Sequence, residues 1–299
     1  IKQKILQMLA DCFFQHDSPE RADFEKWRSQ QAELELYARF RAAARRHGLD
    51  WRTWPDSLRK GSIPQGRYDP DAYRYHIYSQ WQIHQQLSGL HQQIVDMEAI
   101  WYLDFPLGVH RLGYDTWRER DLFVRGADGG APPDAVFTKG QNWGFPPMHP
   151  EVLRQTGYRY FIQSIRRQLQ FASLLRIDHV MSMHRLFWIP EGFDGAEGVY
   201  VRYPADELYS ILLLESHRAR AGLVGENLGT VPQYVNKALK RYGLYGMYIL
   251  PYKVDTKDKK GPARPSKREV ASLNTHDTPT FASFWEGKYI ERQLKLDLI

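Results

Sequence analysis

From about residue 100 onward the chain repeats one pattern: a short apolar run that ends abruptly in polar or charged residues, then a longer stretch of helical texture. The runs fall at 100–105, 174–177, 223–225, 246–250 and 270–273, with helical stretches at 158–170, 207–221 and 231–242 between them. Strands that alternate with helices and carry polar groups at their carboxyl ends are the signature of a β/α barrel. A length of 299 residues permits one large domain or two ordinary ones, and barrels commonly run this long as one.

The first hundred residues have a different texture and read as a mostly helical subdomain, 1–99. Ile1, Ile5, Met8, Leu9 and Cys12 form one apolar stripe, and Leu34, Leu36, Tyr37 and Phe40 sit within another run. Asp17 or Ser18 with Pro19 starts a second helix that Gly48 stops. Trp51, Trp54 and Pro55 mark a turn, and a third helix is expected over 71–95. The Gly- and Pro-rich stretch 121–150 is too long for an ordinary connection and reads as a functional loop.

Composition excludes several classes. With 42% hydrophobic and 25% charged residues the chain is globular rather than disordered or fibrous. The formal charge of +6 is spread among acidic residues, which reads as a solvated surface and not as a nucleic-acid interface. Its tightest basic cluster, 257–260 with Arg264, Lys267 and Arg268, lies in a Gly- and Pro-containing segment and reads as an exposed, mobile loop. One cysteine, Cys12, rules out an internal disulfide. No signal peptide and no bilayer-length apolar run is present, so no membrane role and a reducing, cytoplasmic setting are expected. Aromatic residues make up 14%; such rings serve equally as core filling or as platforms for sugars.

Three acids follow three of the apolar runs: Asp178 in Arg176-Ile177-Asp178-His179, Glu226 in Gly225-Glu226-Asn227, and Asp277 in Asn274-Thr275-His276-Asp277. Any one of them could simply cap the next helix. Together, at strand ends that converge on one barrel mouth, they form the set that retaining glycosyl transfer requires. One carboxylate attacks the anomeric carbon while a protonated partner about 5 Å away serves the leaving oxygen, so the two need different pKa values. Arg176 projects to the same side as Asp178 and would keep it ionised. The apolar approach to Glu226 would raise its pKa. His179 and His276 can donate to sugar hydroxyls, and Asp277 can bind ring hydroxyls as oxocarbenium character develops.

At these residues the sequence resembles the amylomaltase, or 4-α-glucanotransferase, family, relatives of the α-amylases. The resemblance extends through Tyr102-Leu103-Asp104-Phe105-Pro106-Leu107-Gly108-Val109, through Gly130-Ala131-Pro132-Pro133-Asp134 to Gly140-Gln141-Asn142-Trp143-Gly144-Phe145-Pro146-Pro147, and through Phe187-Trp188-Ile189-Pro190-Glu191-Gly192. It implies a (β/α)8 barrel with inserted helical subdomains that moves α-1,4-glucan segments between maltooligosaccharides, with neither cofactor nor metal. By matching motif, Asp178 is the nucleophile, Glu226 the acid/base and Asp277 the stabiliser. Arg176, His179, Asn274 and His276 line the sugar subsite with Asp104, and Gln141 and Trp143 contact the glucan beside it. The chain departs from the pattern twice. Asn227 stands where the family often has Asp, and Ala135-Val136-Phe137 where many members have a Tyr-Phe pair. An α-glucan hydrolase or a non-catalytic glucan-binding fragment would carry the same motifs. Counted against the resemblance, the five runs are the third to seventh barrel strands. Two are therefore expected before Ile1 and one after Ile299, and the chain alone is expected to be inactive or weak.

Overall fold

The computed structural model describes residues 1–134, 137–254 and 261–295. The basic cluster at 257–260, the departure at 135–136 and the stop at 297–299 lie outside the described residues; Arg264, Lys267 and Arg268 are exposed. The chain forms two compact units, Ile1–Trp101 with Gly108–Phe161 and Leu186–Val201, and Tyr102–Leu107 with Ile162–Arg185 and Arg202–Ile299. Among the described residues no helix is long and apolar enough to cross a membrane.

The first unit is built on the helices Lys2–Gln15, Pro19–Ser29, Leu34–His47 and Pro70–Asp96. Two of them start with proline behind a capping side chain: Ser18 Oγ accepts from Arg21 N at 3.3 Å and Asp69 Oδ1 from Ala72 N at 2.8 Å. A proline there forfeits no helical hydrogen bond. The stretch expected as one helix up to Gly48 is two. The chain turns at 30–33, and the turn lets both halves seal one core, Phe24 and Trp27 from the first and Leu34 and Ala38 from the second packing with Ile77 and Trp81. Gly48 closes the second helix at φ 93°, a conformation that favours glycine. Trp51, Trp54 and Phe40 form another core with Leu58 and Trp117. The tryptophans at 27, 51, 54, 81 and 117 are thus core residues, all less than a tenth exposed. The stripe of Ile1, Ile5, Met8, Leu9 and Cys12 is exposed; its helix is held by Ala10 and by Phe13 and Phe14, edge-on to Phe24.

The described residues contain nine strands: β1 (Tyr102–Phe105), β2 (Ala127–Ala131), β3 (Gln141–Asn142), β4 (Leu174–Ile177), β5 (Arg185–Pro190), β6 (Val199–Arg202), β7 (Gly222–Gly225), β8 (Gly246–Ile249) and β9 (Glu269–Ser272). The segment 121–150, expected as a loop, therefore holds two of them. They belong to a four-stranded sheet in the order β3-β2-β5-β6, with β2 antiparallel to β3 and β5. Ala127-Asp128-Gly129-Gly130-Ala131 has little strand propensity and hides this in the sequence. Its glycines answer to packing: a Cβ on Gly129 would run into the Phe145 ring, and one on Gly130 into the Gln141 carbonyl.

In the second unit β1, β4 and β7 lie parallel in that order. Tyr245 continues the row, its N–H donating to Leu223 O at 2.9 Å and its carbonyl accepting from Gly225 N at 2.8 Å. It leads into β8, which pairs parallel with β9. These are the five apolar runs read from the sequence, in chain order and within two residues of their expected bounds. The helices Ala205–Ala219 and Gln233–Tyr242 also fall where expected. Leu175, Ile177, Val224 and Ile249 are at most 1% exposed, as parallel strands covered on both faces require.

Candidate active site

Strand register sets the first contact of the site. Asp104 on β1 is paired with Arg176 on β4, and the two-residue strand period turns Arg176 and Asp178 to one side. Arg176 is only 6% exposed. Its Nη1 donates to Asp104 Oδ1 at 2.7 Å and lies 2.8 Å from Asp178 Oδ1, while Nη2 lies 3.9 Å from Asp277 Oδ2. One buried guanidinium thus gathers carboxylates from β1 and from the segments after β4 and β9. Asp277 and His276 are themselves well exposed, with His276 Nε2 at 3.2 Å from Asp277 Oδ2. Asn274 enters through its backbone, the carbonyl accepting from Ser272 Oγ at 2.8 Å.

Glu226, just after β7, is 7% exposed. Both of its carboxylate oxygens accept backbone N–H groups, Oε1 from Leu228 at 2.7 Å and Oε2 from His179 at 2.8 Å. The second bond comes from the residue next to Asp178, so the two acids are tied together through one peptide. His179 makes it from a left-handed backbone, φ 44° and ψ 61°, which costs a residue with a Cβ about 1 kcal/mol. Asn227 anchors the same segment from the other side. Its Oδ1 accepts from Met247 N at 2.9 Å and its Nδ2 donates to Asn236 Oδ1 at 2.9 Å, with the amide seated against Gly246.

The electrostatics separate the two acids. Burial raises Glu226 to about 7; the nearby Asp178 charge pushes the same way, against the Leu228 and His179 N–H groups and Arg176. Burial also raises Asp178, and it outweighs the opposing pull of Arg176 that the sequence had led us to expect to dominate. Arg176 nonetheless sits in direct contact with Asp178, whereas the groups that touch the Glu226 carboxylate are neutral amides. Burial holds the His179 imidazole down at about 4, so at neutral pH it is an uncharged hydrogen-bonding group. The arrangement therefore sets a carboxyl raised to about 7 beside one in direct contact with a guanidinium.

Of the expected site residues, the structure brings together Asp104, Arg176, Asp178, His179, Glu226, His276 and Asp277. Gln141 and Trp143 belong to the first unit, where Trp143 Nε1 donates to Gln141 Oε1 at 3.3 Å and the Trp143 ring stacks on Phe145. Sequence reasoning did not single out Tyr252, a mostly exposed residue whose phenol is raised by partial desolvation, with Tyr289, Glu226 and Asp277 acting in the same sense. No motif marks it; it lies in the short turn Leu250–Lys253 that follows β8.

Parallel strands joined by helices give the α/β fold of the glycoside-hydrolase type, and solved structures agree. The crystal structure of amylomaltase from Corynebacterium glutamicum matches with a TM-score of 0.82 at 28% identity, over 100% of this chain and 41% of that one. Amylomaltase from Streptococcus agalactiae, solved in complex with acarbose, has the same fold, with a TM-score of 0.84 at 19% identity over 97% of this chain and 61% of that one. The sequence pattern of the 4-alpha-glucanotransferases matches residues 1–298, and the chain belongs to that family. The 4-alpha-glucanotransferase of Mycobacterium tuberculosis is 37% identical over 279 residues, 89% of this chain and 38% of the relative. That of Haemophilus influenzae is 36% identical over 223 residues, 74% of this chain and 32% of the relative. The chain thus spans about two fifths or less of the length of these relatives.

Proposed function

We propose that this chain carries the catalytic centre of a 4-α-glucanotransferase that moves α-1,4-glucan segments between maltooligosaccharides by retaining double displacement. The observation that carries the reading is the pairing of a buried Glu226, its carboxyl raised by burial to about 7, with Asp178 held on Arg176. Asp178 attacks the anomeric carbon as Glu226 protonates the departing glycosidic oxygen, leaving a glucanyl ester on Asp178. Glu226, now ionised, takes the proton from the 4-hydroxyl of an incoming glucan, whose oxygen attacks the anomeric carbon; the bond from that carbon to Asp178 breaks and the carboxylate is freed. Asp277 binds ring hydroxyls most strongly as the oxocarbenium-like state forms, and Arg176 offsets the charge of the cluster.

Asp104, Arg176, His179, Asn274 and His276 form the sugar subsite, and Gln141 and Trp143 contact the glucan chain. Acarbose bound to the streptococcal amylomaltase supports α-glucans as the substrate class. The row of parallel strands supports a (β/α)8 barrel; in this reading 1–99 is an inserted helical subdomain and the setting is the cytoplasm. Incubation with maltotriose tests the reading, both on this chain and on the chain extended to the length of its relatives. Transfer yields glucose together with maltopentaose and longer products. Release of shorter sugars alone by the extended protein would make it a hydrolase and refute the transferase reading.

A further inference from the structure

The helical unit contains a cavity of about 670 Å³ that the reaction above does not use. It lies among the helices Lys2–Gln15, Leu34–His47 and Pro70–Asp96, and its lining includes Lys2, Arg41, Arg45, Leu49, Tyr75 and His76. Arg41 and Arg45 are one turn apart and so project on one face of their helix. Among the described residues neither Lys2 nor Arg41 forms an ion pair, and Arg45 has Asp69 Oδ2 at 3.5 Å. Three cations against one carboxylate leave the cavity electropositive. Burial lowers the adjoining His76 imidazole to about 4, with Arg41 and Arg45 adding to the effect. The imidazole is then neutral near pH 7 and leaves the positive charge to the two guanidiniums and the ammonium.

We propose that this cavity binds a small phosphate monoester, the phosphate on Arg41, Arg45 and Lys2 and the carbon body beside Tyr75 and Leu49. Guanidinium forks match the paired oxygens of an oxyanion, which a halide lacks, and three cations on one site suit the second negative charge and third free oxygen of a phosphate better than a carboxylate. The volume decides for an ester over the free ion, because 670 Å³ falls in the range of sites for whole small molecules, far beyond one phosphate. Tyr75 supplies a ring at the wall; it packs edge-on to His76 at 4.8 Å between centroids.

Titration calorimetry on the chain with glucose 1-phosphate, inorganic phosphate and glucose tests the proposal without depending on catalysis. Glucose 1-phosphate should bind saturably and more tightly than inorganic phosphate, and glucose should give no cavity-dependent heat. Arg41→Gln with Arg45→Gln should weaken the ester by about tenfold or more, as expected for the loss of charge-assisted bonds. Both arginines are exposed on their helix, so the melting temperature should hold. Lys2→Gln, on a different helix, should weaken it about threefold and serves as the second probe should the double variant melt early. Tyr75→Ala should weaken the ester and spare inorganic phosphate. The absence of saturable binding by any phosphate, or unchanged binding in the folded arginine variants, would overturn the site. Equal affinity for ester and inorganic phosphate, unmoved by Tyr75→Ala, would overturn the ester.

Discussion

Replacing Glu226 by Gln should change how stability depends on pH, by an amount the structure fixes. In the fold the Glu226 carboxyl is raised from its ordinary 4.5 to about 7. Below pH 4.5 it is protonated in both folded and unfolded chains, and the stability linked to its proton is fully present. Between 4.5 and 7 the folded chain keeps a proton that the unfolded chain has lost, so stability falls as pH rises; above 7 the whole effect has been lost. At 1.36 kcal/mol for each pKa unit that is about 3 kcal/mol. Gln cannot ionise and lacks this slope. It also turns an amide NH₂ toward one of the two N–H groups, of His179 or Leu228, that the carboxylate oxygens now accept, a penalty that does not vary with pH. Urea unfolding of wild type and Glu226→Gln at pH 4.5 and pH 8 separates the two effects. From low to high pH the variant should gain about 3 kcal/mol on the wild type. A double difference within about 0.5 kcal/mol of zero would show that Glu226 is not held protonated by burial.

Arg176→Met should destabilise the second unit by about 3 kcal/mol, because it leaves Asp104 and Asp178 without their shared cation; thermal melting followed by circular dichroism would show it. Gly129→Ala should cost about 2 kcal/mol through collision with the Phe145 ring, and Phe145→Leu in the same chain should recover part of the loss in urea melts. Asn227→Ala should cost about 2 kcal/mol by stranding Met247 N, whereas Asn227→Asp retains that acceptor and should cost less. In an active, extended chain, Asp178→Asn should abolish transfer from maltotriose with melting unchanged within a few degrees.

β4, β7 and β8 were legible because each is a largely apolar run, the local consequence of burial; β1 and β9, less buried, showed as shorter apolar stretches, and the acids showed because they follow the ends of such runs. Glycine-rich β2 was not, since its pairing depends on Phe145 and Gln141 coming against positions with no side chain. The break at 30–33 escaped for a similar reason: both halves are good helix, and only their shared contact with Ile77 and Trp81 splits them. Arg176 was read as the partner of Asp178, two residues away. Its bond to Asp104 is a matter of strand register and its approach to Asp277 of tertiary folding, neither of which leaves a local trace. The upward shift of Asp178 was missed because burial, its main cause, is a property of the assembled site.

In the proposed reaction Asp178 carries the glucanyl group between donor and acceptor. An activated donor, α-maltosyl fluoride, needs little protonation to depart, so Glu226→Gln in the extended chain should form the ester and then stall for lack of a base. Rapid acid quench, proteolysis and mass spectrometry should find one maltosyl group, on the peptide containing Asp178. A maltosyl group on another residue, or turnover of the fluoride by Asp178→Asn at the rate of the wild type, would contradict the assignment.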